Sequence, residues 1–175
     1  MCTVMHIIPN LAQGGAEKVM VDVVRNIAAR HVVVTLETMQ DFYSLSPHVR
    51  HYRLGVPHKR RHSRVHRFMA TAAFPVILLR ERPTCVVGWS FVGHVVAASL
   101  SRYFGLRAVW SIHCPVSDDV LDNADNKPRM ATYARLSPHV HAVHYPTERT
   151  REQFERRGVT APAHVLRHFI DGAAP

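Results

Sequence analysis

Short runs of β-branched and apolar residues alternate with longer stretches of helical periodicity along almost the whole chain. That order is restrictive, because strands separated by helices pair in parallel through right-handed crossovers that lay helices over the sheet faces. The expected fold class is α/β: a doubly wound, mostly parallel sheet flanked by helices. Thr3 to Ile8 predicts a buried strand, Pro9 to Gly15 a glycine-containing loop, and Ala16 to Arg30 a helix with Val19, Val23 and Ile27 along one face. Further strands are expected from His31 to Glu37, Val49 to Leu54, Thr84 to Trp89, Arg107 to Ile112, Val140 to Tyr145 and His164 to Ile170. A helix started or kinked by Pro75 ends near Glu81, and another runs from Phe91 to Phe104 and stops at Gly105. Asp118 to Leu136 reads as a surface helix or helix-loop-helix, and Thr147 to Arg157 as a helix with Thr147 as N-cap and Gly158 as its stop.

The 175 residues suit one domain, and 47% hydrophobic against 20% charged residues provides for a buried core and excludes disordered or low-complexity classes. With 22 Lys and Arg against 13 Asp and Glu, the net charge of +9 draws the chain toward polyanions without choosing among nucleic acid, anionic membrane and phosphorylated ligands. Three cysteines, Cys2, Cys85 and Cys114, contain no CxxC pair, which argues against a disulfide framework or a cysteine zinc site and fits a reducing, cytoplasmic compartment. The N-terminus has no basic n-region, and the most apolar stretch, Thr84 to Leu100, is interrupted by Trp89, Ser90 and His94, so it reads as strand plus buried helix.

In an open parallel sheet, ligands bind beyond the carboxyl ends of the strands, so residues at those ends are the candidates for chemistry. Gly14 and Gly15, with Glu17 behind them, open a helix where backbone N–H groups can approach a phosphate or sugar hydroxyl; a plain strand-to-helix turn explains them as well. The pattern is neither GxGxxG nor a GxxxxGK[ST] phosphate loop. His113, in Ser111-Ile112-His113, sits where an imidazole can contact ligand oxygen or move a proton, or be a satisfied structural histidine. Ser90, after Trp89, is a ligand contact or a mere N-cap. Two histidine patterns, His58/His62/His66 and His139/His141/His144, do not make a metal site. Lys59, Arg60, Arg61, Arg64 and Arg67 surround the first, and His144 points away from its companions in the second. No GxSxG elbow is present.

That basic run leads into FMATAAFPVILL. Lys59, Arg60, Arg61, Arg64 and Arg67 are membrane-surface candidates, resting on an anionic bilayer by attraction plus partial insertion; a solvated loop before a core helix is the alternative. Nucleic acid is disfavoured, since no helix-turn-helix, RNP aromatic pair or zinc finger accompanies the charge.

Taken in order, IIPNLAQGGAEKVMVDVVRNIA, RPTCVVGWSFVGHVVAASL, VWSIHCP, HAVHYPTERTREQFERRGV and VLRHFID resemble the N-terminal domain of family 4 retaining glycosyltransferases, from Met5 to Asp171. The resemblance implies the GT-B fold, two Rossmann-like domains with the active site in the cleft between them. Residues 1–171 would form the acceptor-side domain and 172–175 begin the interdomain linker, with the donor-binding domain absent. Gly14 and Gly15 would face the cleft near the donor diphosphate and acceptor, Glu17 would orient their loop, and His113 would face the reacting sugar. His168 stands where the family commonly has asparagine at the crossover, and Tyr145-Pro146-Thr147 where a small serine often follows the strand.

By the same resemblance the nucleotide-sugar is a substrate and no cofactor is needed, the acceptor is lipid-linked or a polysaccharide, and the enzyme lies in the cytoplasm, peripheral on the inner face of the membrane. The family's E-x7-E motif belongs to the second domain and no such glutamate pair occurs here, so this half alone should not turn over. A non-catalytic binding or assembly module, pairing with a separate donor-binding chain, is the other reading.

Overall fold

The structure is a computed structural model and describes residues 2–57, 64–113 and 117–166. Seven strands form one sheet: β1 (Thr3–Ile8), β2 (Arg30–Thr38), β3 (Arg50–Pro57), β4 (Cys85–Trp89), β5 (Arg107–Ser111), β6 (Ala142–Tyr145) and β7 (Ala163–Val165). Their spatial order is β3-β2-β1-β4-β5-β6-β7, and every pairing is parallel. The chain moves outward in one direction from β1 to β3 and in the other from β4 to β7. Between β1 and β4 the order therefore reverses, and at their carboxyl ends the two flanking loops diverge and leave a crevice.

Among the described residues six α-helices connect the strands: α1 (Gly15–Asn26), α2 (Arg64–Glu81), α3 (Ser90–Phe104), α4 (Asp118–Leu121), α5 (Lys127–Leu136) and α6 (Glu148–Glu155). Strand alternation splits the core in two. Met5, Ile7, Val32, Val34, Val86 and Trp110 join Phe74 and Ile77 of α2, Ala97 and Ala98 of α3, Met130 and Tyr133 of α5 and Phe154 of α6 on one face. Ile8, Val33 and Trp89 join Met20, Val21 and Val24 of α1 on the other.

The expected elements are present with shifted ends. α1 stops at Asn26, four residues before the expected Arg30, because Ile27 leaves the helix in extended geometry and is 55% exposed. Its buried stripe is Met20, Val21 and Val24, one position off the expected Val19, Val23 and Ile27. Pro75 lies inside α2, the 118–136 stretch splits into α4 and α5, and β7 begins at Ala163 and ends at Val165. Gly105 (φ 67°) and Gly158 (φ 90°) supply the left-handed residues after α3 and α6, and Thr147 caps α6 by accepting the Thr150 N–H.

Two charged clusters fasten the periphery. The fully buried Glu81 side chain, at the end of α2, receives Arg30, Arg50 at 2.9 Å and the Tyr52 hydroxyl, tying α2 to the starts of β2 and β3. Burial pushes its carboxyl pKa up, but Tyr52, Arg50 and Arg30 outweigh burial and hold it below the ordinary range. Arg157 bridges Asp118 at 2.9 Å and Asp122 at 2.7 Å, so the chain after α6 clasps α4. No helix among the described residues is long and apolar enough to cross a membrane.

Candidate functional site

The reversal of strand order brings the β1–α1 loop and the β4–α3 junction side by side, with β5 next in the sheet. In the first, Asn10 Oδ1 accepts the Ala12 N–H and Leu11 is buried, which fixes the approach to Gly14. Gly14 is the α1 N-cap in extended conformation with no side-chain cap, so the first-turn N–H groups of α1 have no side-chain acceptor from that position. A Cβ on Gly14 would come within 2.1 Å of Glu17 Oε2, so the Glu17 carboxylate folds back over the glycine. A Cβ on Gly15 would meet nothing within 4 Å; it would project into open space.

The β2–β3 loop supports this turn. The Phe42 and Tyr43 N–H groups donate to the Leu11 carbonyl at 2.8 and 3.1 Å, and the Tyr43 hydroxyl donates to the Gly14 carbonyl at 3.3 Å. Beside them lies a hollow of about 400 Å3 lined by Leu11, Asp41, Tyr43, His51 and Arg53 among others, with Arg53 paired to Asp41 at 2.6 Å.

At the second junction, Ser90 is the first residue of α3 and has φ 59°, in the left-handed region that a non-glycine residue enters at a cost of about 1–3 kcal/mol. Its Oγ is buried and has no hydrogen-bond partner among the described residues. The expected N-cap role is thus not what the side chain does: Ser90 lies inside the helix start and caps nothing. The tight turn is made possible by two glycines. A Cβ on Gly88 would come within 2.5 Å of the Gly93 carbonyl oxygen, and one on Gly93 within 2.3 Å of the Ile7 carbonyl oxygen, so α3 starts directly against β1 and β4.

His113 follows β5. Its ring stacks on Trp89 with centroids 5.0 Å apart and planes 12° apart. From this stack one hydrogen-bonded chain runs into the interior and another runs across the strand ends to the exposed Leu166. Trp89 Nε1–H can only donate, and it meets His6 Nδ1 at 3.1 Å; His6 Nε2–H then donates to His31 Nδ1 at 3.0 Å, and His31 Nε2–H to the Ile27 carbonyl at 2.9 Å. Burial, aided by His31, pulls the His6 pKa down to about 3 and keeps the ring neutral.

The second chain starts at a carbonyl, which can only accept. His144 Nε2–H donates to the Leu166 carbonyl at 3.0 Å; in the Nε2–H tautomer its Nδ1 accepts the Ser111 hydroxyl proton at 2.9 Å, and the Ser111 oxygen accepts His113 Nε2–H at 2.7 Å. The order of donors makes Nδ1 the basic nitrogen of His113. Ser111 is itself pinned by a third histidine: His94 Nε2–H donates to its carbonyl at 3.0 Å while His94 Nδ1 accepts the Tyr133 hydroxyl at 2.7 Å. Complete burial pulls the His94 pKa down to about 4.

The structure thus places Gly14, Gly15, Glu17, Ser90 and His113 at the carboxyl ends of β1, β4 and β5. Trp89, Ser111, His144, His6 and His31, which support them, went unmarked or were considered only as metal ligands in the sequence. Alternation could have found them, since His6, Trp89, Ser111 and His144 all lie on the α1 face of the sheet while their neighbours feed the larger core. Among the described residues no group of three His, Cys, Asp or Glu side chains is placed to hold a metal ion. Lys59, Arg60, Arg61 and the crossover residues 167–171 lie outside the described residues, while Arg64 and Arg67 fall in the first turns of α2.

Residues 13–173 match the family described as Glycosyltransferase Family 4. No curated protein sequence matches the chain. Among solved structures, Anabaena Alr3699/HepE, in complexes with UDP and with UDP-glucose, superposes with a TM-score of 0.70 at 14% identity, covering 98% of this chain and 45% of that one. Sucrose-phosphate synthase from Thermosynechococcus elongatus superposes with a TM-score of 0.71 at 14% identity, covering 95% and 48%. The chain therefore spans just under half the length of these neighbours.

Proposed function

Because this chain belongs to Glycosyltransferase Family 4, we propose that it is the acceptor-side half of a nucleotide-sugar-dependent glycosyltransferase, with the crevice between β1 and β4 as one wall of the active site. The observation that carries this is the convergence at the carboxyl ends of β1, β4 and β5 of a helix start at Gly14 and Gly15 with no side-chain cap from Gly14, a strained Ser90 whose buried hydroxyl has no partner among the described residues, and His113 hydrogen-bonded to Ser111.

Each element has a part in transfer. The α1 N-terminus, over which the Glu17 carboxylate folds in this structure, offers backbone N–H groups and positive dipole to a diphosphate leaving group as its charge develops. Gly15 leaves room for that approach. His113, backed by the Trp89 ring and hydrogen-bonded to Ser111, is the ring that would meet a hydroxyl of the reacting sugar beside the crevice. Ser90 holds its buried hydroxyl beside the same crevice, and Glu17 holds the glycine turn in shape. The nucleotide-sugar is the substrate and no cofactor takes part. Transfer retains anomeric configuration and goes to a lipid-linked or polysaccharide acceptor at the cytoplasmic side of the membrane. Donor recognition falls to a second domain or partner chain, because a water-excluding cleft needs two walls.

The test is sugar transfer from UDP-glucose and other nucleotide-sugars by two preparations: the pure 175-residue chain, and the polypeptide that an antibody against this domain captures from source cells. Turnover is expected from captured material heavier than 19.8 kDa, or from the chain together with a co-captured partner, and not from the chain alone. Clear transfer by the pure chain contradicts the two-wall requirement. No transfer by either preparation favours a non-catalytic binding module.

A further inference from the structure

The hollow under the β2–β3 loop, about 400 Å3, falls in the range of about 300–1,000 Å3 typical of small-molecule sites. It lies by the edge strand β3, two strands away from β1 and its crevice. Its walls are fastened by the chain itself. The Phe42 and Tyr43 N–H groups are held by the Leu11 carbonyl, Arg25 Nη2 donates to the Ser44 carbonyl at 3.2 Å, and the Val49 N–H donates to the Ser46 carbonyl at 2.9 Å. On the strand side, His51 is hydrogen-bonded to Thr35 Oγ1 at 2.9 Å. A site formed before its occupant arrives gives up less freedom on binding.

The lining is balanced in charge, although the chain carries a net +9. Asp41 and Arg53 neutralise each other at 2.6 Å. Burial, and after it Arg53, pulls the His51 pKa below its ordinary value, so the ring adds no charge at neutral pH. An anion placed here would face the Asp41 carboxylate and find only a guanidinium that is already paired, which makes phosphate a poor occupant. A sugar hydroxyl needs both a donor and an acceptor, and the pair supplies them side by side. It is made by Asp41 Oδ2 and Arg53 Nη2, so Asp41 Oδ1 can accept one hydroxyl proton while another guanidinium N–H donates to the neighbouring oxygen. Next to that fork Phe42 is 62% exposed and stands edge-on to Tyr43, the rings 5.0 Å apart at 82°. An exposed aromatic ring beside a bidentate polar pair suits the two sides of a sugar, the apolar C–H face and the hydroxyl edge.

We infer that this hollow is a second carbohydrate site, apart from the crevice, which holds a neutral, non-reacting sugar unit of the acceptor, with Asp41 and Arg53 on its hydroxyls and Phe42 against its ring. That the sugar belongs to an acceptor rests on the sugar-transfer reading above; the binding of a sugar rests on the hollow alone. Tyr43 ties the two places together. It lines the hollow, and its hydroxyl donates to the Gly14 carbonyl, so an occupant lies against the loop that shapes the crevice wall.

The test is an NMR titration of the nitrogen-15-labelled 175-residue chain with maltose, cellobiose, lactose and N,N'-diacetylchitobiose, each up to its solubility limit, and separately with inorganic phosphate. At least one disaccharide is expected to give saturable shifts at the Phe42, Tyr43 and Arg53 amides, and phosphate none there. For that disaccharide Asp41→Asn should weaken binding about tenfold and Phe42→Ala, at a largely exposed side chain, about fivefold, with the rest of the spectrum as in the wild type. Absence of saturable shifts with all four disaccharides overturns the inference. So do shifts centred elsewhere, phosphate shifting these same amides, or unchanged affinity in either folded variant. UDP-glucose separates this inference from the transfer reading. Gly14 and Gly15 shifts with UDP-glucose, but none in the hollow with any disaccharide, overturn the hollow alone. Disaccharide shifts in the hollow with no response of Gly14 and Gly15 to UDP-glucose keep the carbohydrate site and overturn its assignment to an acceptor.

Discussion

The indole of Trp89 and the imidazole of His113 lie face to face, 5.0 Å between centroids and 12° from parallel, although they come from different strand ends. The stack joins a buried chain, Trp89–His6–His31, to a partly buried one, His113–Ser111–His144. Trp89 is 2% exposed and its N–H is committed to His6. Trp89→Phe keeps a ring under His113 but leaves His6 Nδ1 buried without its donor and a small void beside it. We expect a loss of about 2–4 kcal/mol in urea unfolding. A loss below about 0.5 kcal/mol would mean that the bond to His6 contributes nothing.

Ser111→Ala removes the hydroxyl that lies between His113 Nε2 and His144 Nδ1. In the wild type, nitrogen-15 NMR should find neutral His113 protonated on Nε2 alone. In the alanine variant it should find a mixture of tautomers, and Ser111→Thr should restore the single form. An unchanged tautomer in Ser111→Ala would show that another group sets it.

Acid should unfold the protein early. His6 and His94 have native pKa values lowered to about 3 and about 4, against 6.5 in the unfolded chain. The unfolded state therefore takes up protons first, so the stability these rings contribute is complete above about pH 6.5 and declines as the pH falls toward their native values. Between pH 7 and pH 5 each ring should cost about 2 kcal/mol. Urea midpoints at the two pH values check this, and equal midpoints would contradict the buried, neutral state of both rings.

Gly93→Ala tests the close approach that sets the start of α3. The added Cβ would lie 2.3 Å from the Ile7 carbonyl oxygen, a backbone atom that cannot swing away. We expect about 2–4 kcal/mol of destabilisation, or a displaced α3 that takes Ser90 out of its left-handed conformation. Gly105→Ala, where a Cβ meets nothing but φ is 67°, should cost only about 1 kcal/mol.

The architecture was legible because the period of the apolar pattern switches between two and about 3.6 along the chain, and because Gly105, Gly158 and Thr147 mark helix ends by simple backbone chemistry. Strand order and the crevice followed only with the structure, since pairing is long-range. The glycine turn and His113 could be marked from their place after strands. Their supports carried a weaker signal: alternation puts each of His6, Trp89, Ser111 and His144 on one face of its own strand, but His6 and His144 are separated by 138 positions in sequence, and only the sheet register shows that those faces are the same one. The left-handed Ser90 was hidden for a different reason. A serine before a helix ordinarily caps it, and here the Gly88–Gly93 approach pulls the helix start one residue earlier.

The central claim is that the β1–β4 crevice is a wall of a nucleotide-sugar site, and it is tested most directly by an NMR titration of the nitrogen-15-labelled chain with UDP-glucose. The account predicts weak, saturable shifts confined to the Gly14, Gly15 and Ser90 amides and the His113 ring, abolished by Gly15→Trp with the rest of the spectrum intact. Shifts centred elsewhere, or the same shifts in Gly15→Trp, would contradict it.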